Sequence, residues 1–323
     1  MPSFASLMRM GLVALAAVLL TASASAQTYP NKVIKIIVPF AVGGQPDTVA
    51  RLMAQHLQAT LGTTIIDNRP GNSTIIGSKF AAGSDPDGYT LLFGSTTSLA
   101  IVPAMTSNAG YDAVTSFKPI AAISRSAMYL NVGPAVKAKT VGELVAFAKA
   151  NPGKMNFAAP PGPPHLAGEA FKRATGIDIV PVPYRTMNQA FTDLLAGQMD
   201  IVFDSPAPLA HLLREGKVRA LVSLGKDRMA MLPDVPTMAE SGLAHLQMIT
   251  WNGLVAPAGT PDAIISRLNT AINDGLKLPQ ISEALRKFSS EPIGGTPQEF
   301  AALVATESKK WAEIVRIAGV KID

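Results

Sequence analysis

Short β-branched runs alternate with amphipathic stretches along most of this chain. Val33 to Phe40 (VIKIIVPF) is bounded by Pro30 and Pro39, and the stretch Asp47 to Leu61 then places Val49, Leu52, Met53, Leu57 and Leu61 at helical spacing. A strand therefore feeds a helix. The rhythm recurs: Thr64 to Asp67 precedes Ile75 to Ala82, and Thr90 to Phe93 is followed later by Thr140 to Ala150. Asn156-Phe157 precedes a helix near His165 to Thr175, Ile179 to Val182 precedes Gln189 to Leu195, and Ile201 to Phe203 precedes His211 to Glu215. Repeated strand-helix units predict an α/β fold of mostly parallel sheets flanked by helices. Thr140-Val-Gly-Glu143, Thr186-Met-Asn-Gln189 and Thr296-Pro-Gln-Glu299 read as capping boxes, and Thr260-Pro261 as a cap with Pro in the first turn. Pro and Gly cluster at Pro39 to Pro46, Pro160 to Pro164 and Pro257 to Pro261, at strand ends, where the ligand loops of α/β sheets belong.

The first 26 residues break the rhythm. A single Arg9, an apolar stretch from Met10 to Leu20 and Ala24-Ser25-Ala26 before Gln27 predict a secretory signal cleaved near Ala26 and export to the periplasm. The apolar stretch is too short to cross a bilayer, which takes about 18 to 20 residues. The chain has 323 residues, 48% of them hydrophobic, enough for two domains of about 100 to 200 residues each. With no Cys, thiol catalysis, thiolate metal sites and disulfides are excluded. The net charge of +5 never gathers into a basic run interleaved with aromatics, so nucleic acid is not an expected partner. The four histidines, at 56, 165, 211 and 245, have no metal-ligand spacing, and neither a metal nor a cofactor is expected.

Five constellations could carry chemistry. Phe40-Ala41-Val42-Gly43-Gly44, with Asp47 beyond, joins a strand to a helix, and its glycines either let backbone N–H groups approach an anion or simply make a tight turn. Gly94-Ser95-Thr96-Thr97 follows a strand with hydroxyls that suit a carboxylate or a helix cap equally well. Ala159-Pro160-Pro161-Gly162-Pro163-Pro164-His165 is stiff and poor in donors, and His165 faces either the cleft or a structural partner. Arg185, Thr186 and Asn188 open a helix; Arg185 either attracts an anion or pairs with a surface carboxylate. Asp204-Ser205 ends an apolar strand, where the carboxylate accepts from a ligand or caps the next turn. Ser95, His165 and Asp204 form a nominal triad, but no GxSxG elbow holds the serine, so no enzyme is expected.

From Tyr29 to Asp323 the sequence resembles the Bordetella uptake gene family, the extracytoplasmic solute-binding receptors of tripartite tricarboxylate transporters. The resemblance rests on ordered stretches: Gly43-Gly44 with Asp47, Asn68-Arg69-Pro70-Gly71, Pro86-Asp87-Gly88-Tyr89-Thr90-Leu91-Leu92, His165-Leu166-Ala167-Gly168-Glu169, Leu232-Pro233-Asp234-Val235-Pro236-Thr237 and Trp251-Asn252-Gly253-Leu254. It implies a two-lobed fold of the periplasmic-binding-protein kind, with one lobe at 27–125 plus 250–323 and the other at 126–249. It also implies a monomer that closes on a small organic acid and docks on membrane permease subunits. The ligand carboxylate would be held by backbone N–H groups, hydroxyls and waters from the loops at 40–44 and 94–97. A receptor feeding a membrane sensor is the alternative. This chain departs from the family pattern with Pro160, Pro161, Pro163 and Pro164 where a Ser- and Gly-rich loop is usual, and with Tyr184-Arg185-Thr186 for Tyr-Lys-Gly. A more apolar far wall, suited to an apolar or aromatic carboxylate, follows.

Overall fold

The computed structural model describes residues 29–229 and 231–320. The expected signal at 1–26 and its cleavage point lie outside them. Strand β1 (Ile34–Val38) has Ile34, Ile36, Ile37 and Val38 wholly buried, because it lies inside its sheet with both faces covered and needs no polar alternation. Helix α1 (Gln45–Thr60) follows with Pro46 in its first turn and Val49, Ala50, Met53 and Leu57 turned inward. Strand β2 (Thr64–Asn68), helix α2 (Ile75–Ala82) and strand β3 (Thr90–Ser95) continue the expected run, and β1 pairs parallel with both β2 and β3. A π-helical turn at Thr97–Ile101 and the short α3 (Val102–Met105) lead into the long β4 (Phe117–Ala127).

One residue later the chain is in a second sheet. Its elements are β5 (Tyr129–Val132), α4 (Val141–Ala150), β6 (Met155–Ala158), α5 (Pro163–Thr175), β7 (Ile179–Val182), α6 (Met187–Leu195), β8 (Ile201–Asp204), α7 (Ala210–Arg214) and β9 (Arg219–Ser223). Strand β10 (Ile249–Pro257) returns to the first sheet, followed by α8 (Asp262–Lys277), α9 (Pro279–Lys287), β11 (Glu291–Gly294) and α10 (Pro297–Ala318). The strand orders are β11-β4-β10-β3-β1-β2 and β7-β6-β8-β5-β9.

Both sheets are mixed, which corrects the expectation of mostly parallel pairing. Only β2-β1-β3 and β7-β6-β8 pair in parallel; β10 runs antiparallel to β3 and β4, β11 to β4, and β5 to β8 and β9. The cause is traffic between the sheets. Strand β4 leaves the first sheet and β10 re-enters it, so the two lie side by side in opposite directions, from Ile249↔Ala127 to Pro257↔Phe117. Their register shifts at Asn252/Gly253, where a Cβ on Gly253 would stand 2.6 Å from the Ala121 carbonyl oxygen, so that only glycine fits the bulge.

Helix α10 ties the two sheets together. It packs on β4, on the Thr97–Ile101 turn and on α5, and it carries Phe300, Val304, Trp311, Ile314, Val315 and Ala318 into a buried cluster that reaches Ile37 and Leu92 on one side and Phe157 and Phe203 on the other. Its start has the full expected capping box between Thr296 and Glu299. The other expected caps differ. Thr140 accepts from Glu143 N–H at 3.2 Å, but Glu143 takes the Lys139 amide instead of closing the box. Thr186 makes no side-chain cap at the start of α6. At α8 the cap is Pro261, because the Thr260 hydroxyl turns back to the Pro257 carbonyl at 2.8 Å.

Candidate functional site

The loops that follow the parallel strands of both sheets meet in one cleft, the position that open α/β sheets reserve for ligands. It consists of an outer chamber of 850 Å³ and an inner chamber of 310 Å³. Phe40, Thr97, Pro163, Pro164, Met187 and Asp204 line both, so they form a waist between the two.

The inner chamber is the richer of the two in polar side chains. The first lobe contributes Gln45, Ser95, Thr96 and Thr97; the crossing strands contribute Ser126, Thr250 and Asn252; the second lobe contributes Asn188, Asp204 and Ser205. Several of these groups are already committed. Ser95 N–H donates to Ser98 Oγ at 2.9 Å, and Ser98 N–H donates back to Ser95 Oγ at 3.2 Å. Thr96 Oγ1 accepts from Trp251 N–H at 2.8 Å and fixes the corner to β10. Gln45 Nε2 donates to Ser290 Oγ at 2.9 Å. Among the described residues the hydroxyl of Thr97 and the amide of Asn188 have no partner, which leaves them for a ligand. Helix α6 begins at this point with its cap unfilled, so its first N–H groups and positive end face the chamber.

The outer chamber is bounded by Pro39, Pro70, Ile101, Met105, Pro160 and Pro161, with Arg185 and His165 as its ionisable side chains besides Asp204. Pro163 and Pro164 are the first two residues of α5, so this helix end offers no N–H at positions that elsewhere receive anions. His165 lies 6.4 Å from the Phe157 ring, centroid to centroid, and burial lowers its pKa, with Glu169 pulling the other way. Asp204 accepts Ser205 N–H at 2.7 Å through Oδ1, and burial, partly opposed by that amide, pushes its carboxyl up to about 7.

Not every expected residue lines the cleft. Phe40, Ala41, Ser95, Thr96, Thr97, Ala159, Pro160, Gly162, His165, Arg185, Thr186, Asn188, Asp204 and Ser205 do. Val42, Gly43, Gly44, Asp47 and Gly94 line neither chamber. Val42 is 70% exposed, and Gly94 is packed between Leu99 and the backbone of Gly253. Asp47 is buried and holds the β1–α1 loop: its carboxylate accepts from Gly43 N–H at 2.9 Å, Arg51 Nε at 2.9 Å and Asn68 Nδ2 at 2.8 Å. No hydrogen bond joins the nominal triad among the described residues: Ser95 bonds to Ser98 and Asp204 to Ser205, and His165 lines a chamber with Asp204 but not with Ser95.

A profile of the tripartite tricarboxylate transporter family receptor matches residues 49–320. The chain belongs to this receptor family. Protein BugT of Bordetella pertussis is 36% identical over 308 residues, covering 94% of each chain. Among solved structures, periplasmic binding protein BugD is 31% identical with a TM-score of 0.78, covering 91% of this chain and 99% of that one. The R. palustris protein Rpa4515, solved with adipate, is 31% identical with a TM-score of 0.81 over 91% of this chain and 99% of its own. The two-lobed α/β fold is therefore that of a periplasmic solute-binding receptor. Among the described residues no helix is long and apolar enough to cross a membrane, and no group of His, Asp or Glu is placed to hold a metal ion.

The receptor's cleft also has walls that the strand-helix pattern does not reveal. The Pro70–Thr74 segment lines the outer chamber through Pro70, Gly71, Ser73 and Thr74, and Asn72, Ser73 and Thr74 have φ of 44°, 49° and 81°. Three consecutive left-handed non-glycine residues are costly, and nothing local in Asn-Ser-Thr announces them. The usable signal was Asn68-Arg69-Pro70-Gly71, a turn cluster at the end of a parallel strand. Val320, just past α10, lines the same chamber and has no local signal at all.

Proposed function

We propose that this receptor captures a small organic acid by its carboxylate in the inner chamber and presents it to the membrane permease of a tripartite transporter. The lobes on this reading are 27–125 plus 250–323 and 126–249. The observation that carries it is the meeting, in one chamber, of strand-to-helix corners from both lobes: Ser95 to Thr97 from one, Met187-Asn188 and Asp204-Ser205 from the other. Oriented N–H groups and hydroxyls there offset a negative charge without a buried cation. The adipate bound by Rpa4515 is a carboxylate of the expected kind, in a protein of the same fold. The outer chamber, walled by proline and aliphatic side chains, takes an apolar or aromatic body in preference to the ammonium group of a small amino acid. The protein's task on this reading is binding and not turnover; the Ser95 hydroxyl is engaged with Ser98 and the Asp204 carboxylate with Ser205.

Calorimetric titration with benzoate, adipate and aspartate, together with mass spectrometry of any acid released from natively purified protein, tests this. Benzoate or adipate should bind more tightly than aspartate. Tight binding of aspartate alone refutes the apolar wall, and binding of no acid refutes the carboxylate reading.

A further inference from the structure

Asp204 stands at the waist of the cleft and lines both chambers. Oδ1 is satisfied by Ser205 N–H, whereas Oδ2 has no partner among the described residues. No basic side chain is bonded to it. On α5 the ionisable residue lining the cleft is His165, whose pKa burial lowers; Arg185, before α6, is exposed and lies on the outer chamber alone. From β5 the register partner is Tyr129, itself wholly buried with a phenol pushed upward first by burial. Across the waist the first lobe presents Phe40 and Thr97, neither of which is charged. Asp193 on α6 is occupied by the Tyr184 hydroxyl at 2.6 Å.

Resting on the carboxylate reading of the cleft, we propose that Asp204 is the specificity-determining residue, accepting a hydrogen bond from a ligand hydroxyl or N–H at the waist and admitting a second carboxylate only with uptake of one proton. Two carboxylates within hydrogen-bonding distance in a poorly solvated waist cannot both stay ionised. When a diacid enters, Oδ2 takes one proton from the buffer and then donates it to the ligand's far carboxylate, while Oδ1 keeps the Ser205 bond. A ligand that ends in a hydroxyl instead donates to Oδ2 and needs no proton. Burial has already moved the carboxyl to about 7, so the proton is available near neutral pH.

A matched pair of six-carbon probes tests this: adipate and 6-hydroxyhexanoate, titrated calorimetrically from pH 6 to 8 in buffers of different ionisation enthalpy. From the carboxyl near 7, adipate should bind with uptake of about 0.9 proton at pH 8 and lose about tenfold in affinity between pH 6 and 8. The hydroxy acid should take up less than about 0.2 proton. Asp204→Asn keeps the Ser205 contact, removes the uptake, and should bind adipate about tenfold more tightly than the unmodified receptor at pH 8. Adipate binding without proton uptake, or uptake that persists in Asp204→Asn, overturns the assignment of Asp204 and leaves the cleft reading intact. Failure of both acids to bind at every pH is a different result, which overturns the carboxylate reading beneath it.

Discussion

Replacing Asp47 by Asn probes whether the β1–α1 loop is held by charge or by shape alone. The carboxylate is 2% exposed and accepts three hydrogen bonds, from Gly43 N–H, Arg51 Nε and Asn68 Nδ2. A hydrogen bond to a charged group contributes about 1.5 to 3 kcal/mol. The sheltered bonds from Gly43 and Asn68 count in full, whereas the Arg51 side chain is 50% exposed and adds less than about 1 kcal/mol. Asn keeps one acceptor but turns a donor toward donors, so the expected loss at pH 7 is about 2 to 4 kcal/mol. The pH dependence gives a second handle. Burial alone would raise this carboxyl, and the bonds from Arg51, Gly43 and Asn68 more than offset it, so its folded pKa lies below the ordinary value. A depressed carboxyl contributes stability that is complete above the unfolded pKa and disappears as pH falls through the folded one. The difference between the two proteins in urea unfolding should therefore be full at pH 7 and shrink below about pH 4. A difference of the same size at pH 3 and pH 7, or none at pH 7, refutes the charge-based account.

Thr96→Val removes the acceptor of a buried backbone amide, that of Trp251 at 2.8 Å. Urea unfolding should show a loss of about 1 to 3 kcal/mol, and an unchanged midpoint would mean that the corner is not anchored this way. Gly168→Ala places a methyl group into the wholly buried Phe157 ring, so thermal melting should reveal a loss of about 1 to 3 kcal/mol. A variant as stable as the original would show that the ring yields freely. The last turns of α10 bury Ile314, Val315 and Ala318 in the cluster shared with α5, and parting the two helices would expose Ile314 and Val315, which contribute about 1.5 to 3 kcal/mol each. Hydrogen exchange from Trp311 to Ala318 should stay slow with and without ligand, and rapid exchange in the unliganded receptor would show that α10 undocks when the cleft opens.

The order of strands and helices from β1 to β3 and from α4 to α7 was legible because each apolar run there sits between turn residues. The crossing strands β4 and β10 were not singled out, and they run antiparallel because one leaves the first sheet while the other returns. The site divides in the same way. Proline lacks an N–H in any fold, so the poor donor supply at Pro163 and Pro164 could be read directly. Asp47 looked like a ligand group beside two glycines, but its decisive partner, Asn68, is 21 residues away and on another strand. Ser95 and Thr96 fitted both a ligand and a structural role; the bonds to Ser98 and Trp251 give them structural partners, and both also line the inner chamber.

Where selectivity resides follows from the magnitudes. A micromolar ligand needs about 8 kcal/mol of net binding free energy. Neutral hydrogen bonds in the inner chamber contribute about 1 kcal/mol each, and Arg185, exposed at the rim, adds little. Burying some 150 Å² of an apolar body in the outer chamber contributes about 4 kcal/mol, comparable with the whole polar grip. That apolar term discriminates weakly, because one methylene more or less changes binding by only about 0.8 kcal/mol, or about fourfold. A mispaired polar group in a confined waist costs about 1 to 3 kcal/mol and more if it is charged. On the proposed carboxylate reading, the proline wall therefore sets how tightly an acid is held, while the choice among acids of similar size falls to the waist, where Asp204 is the ionisable side chain.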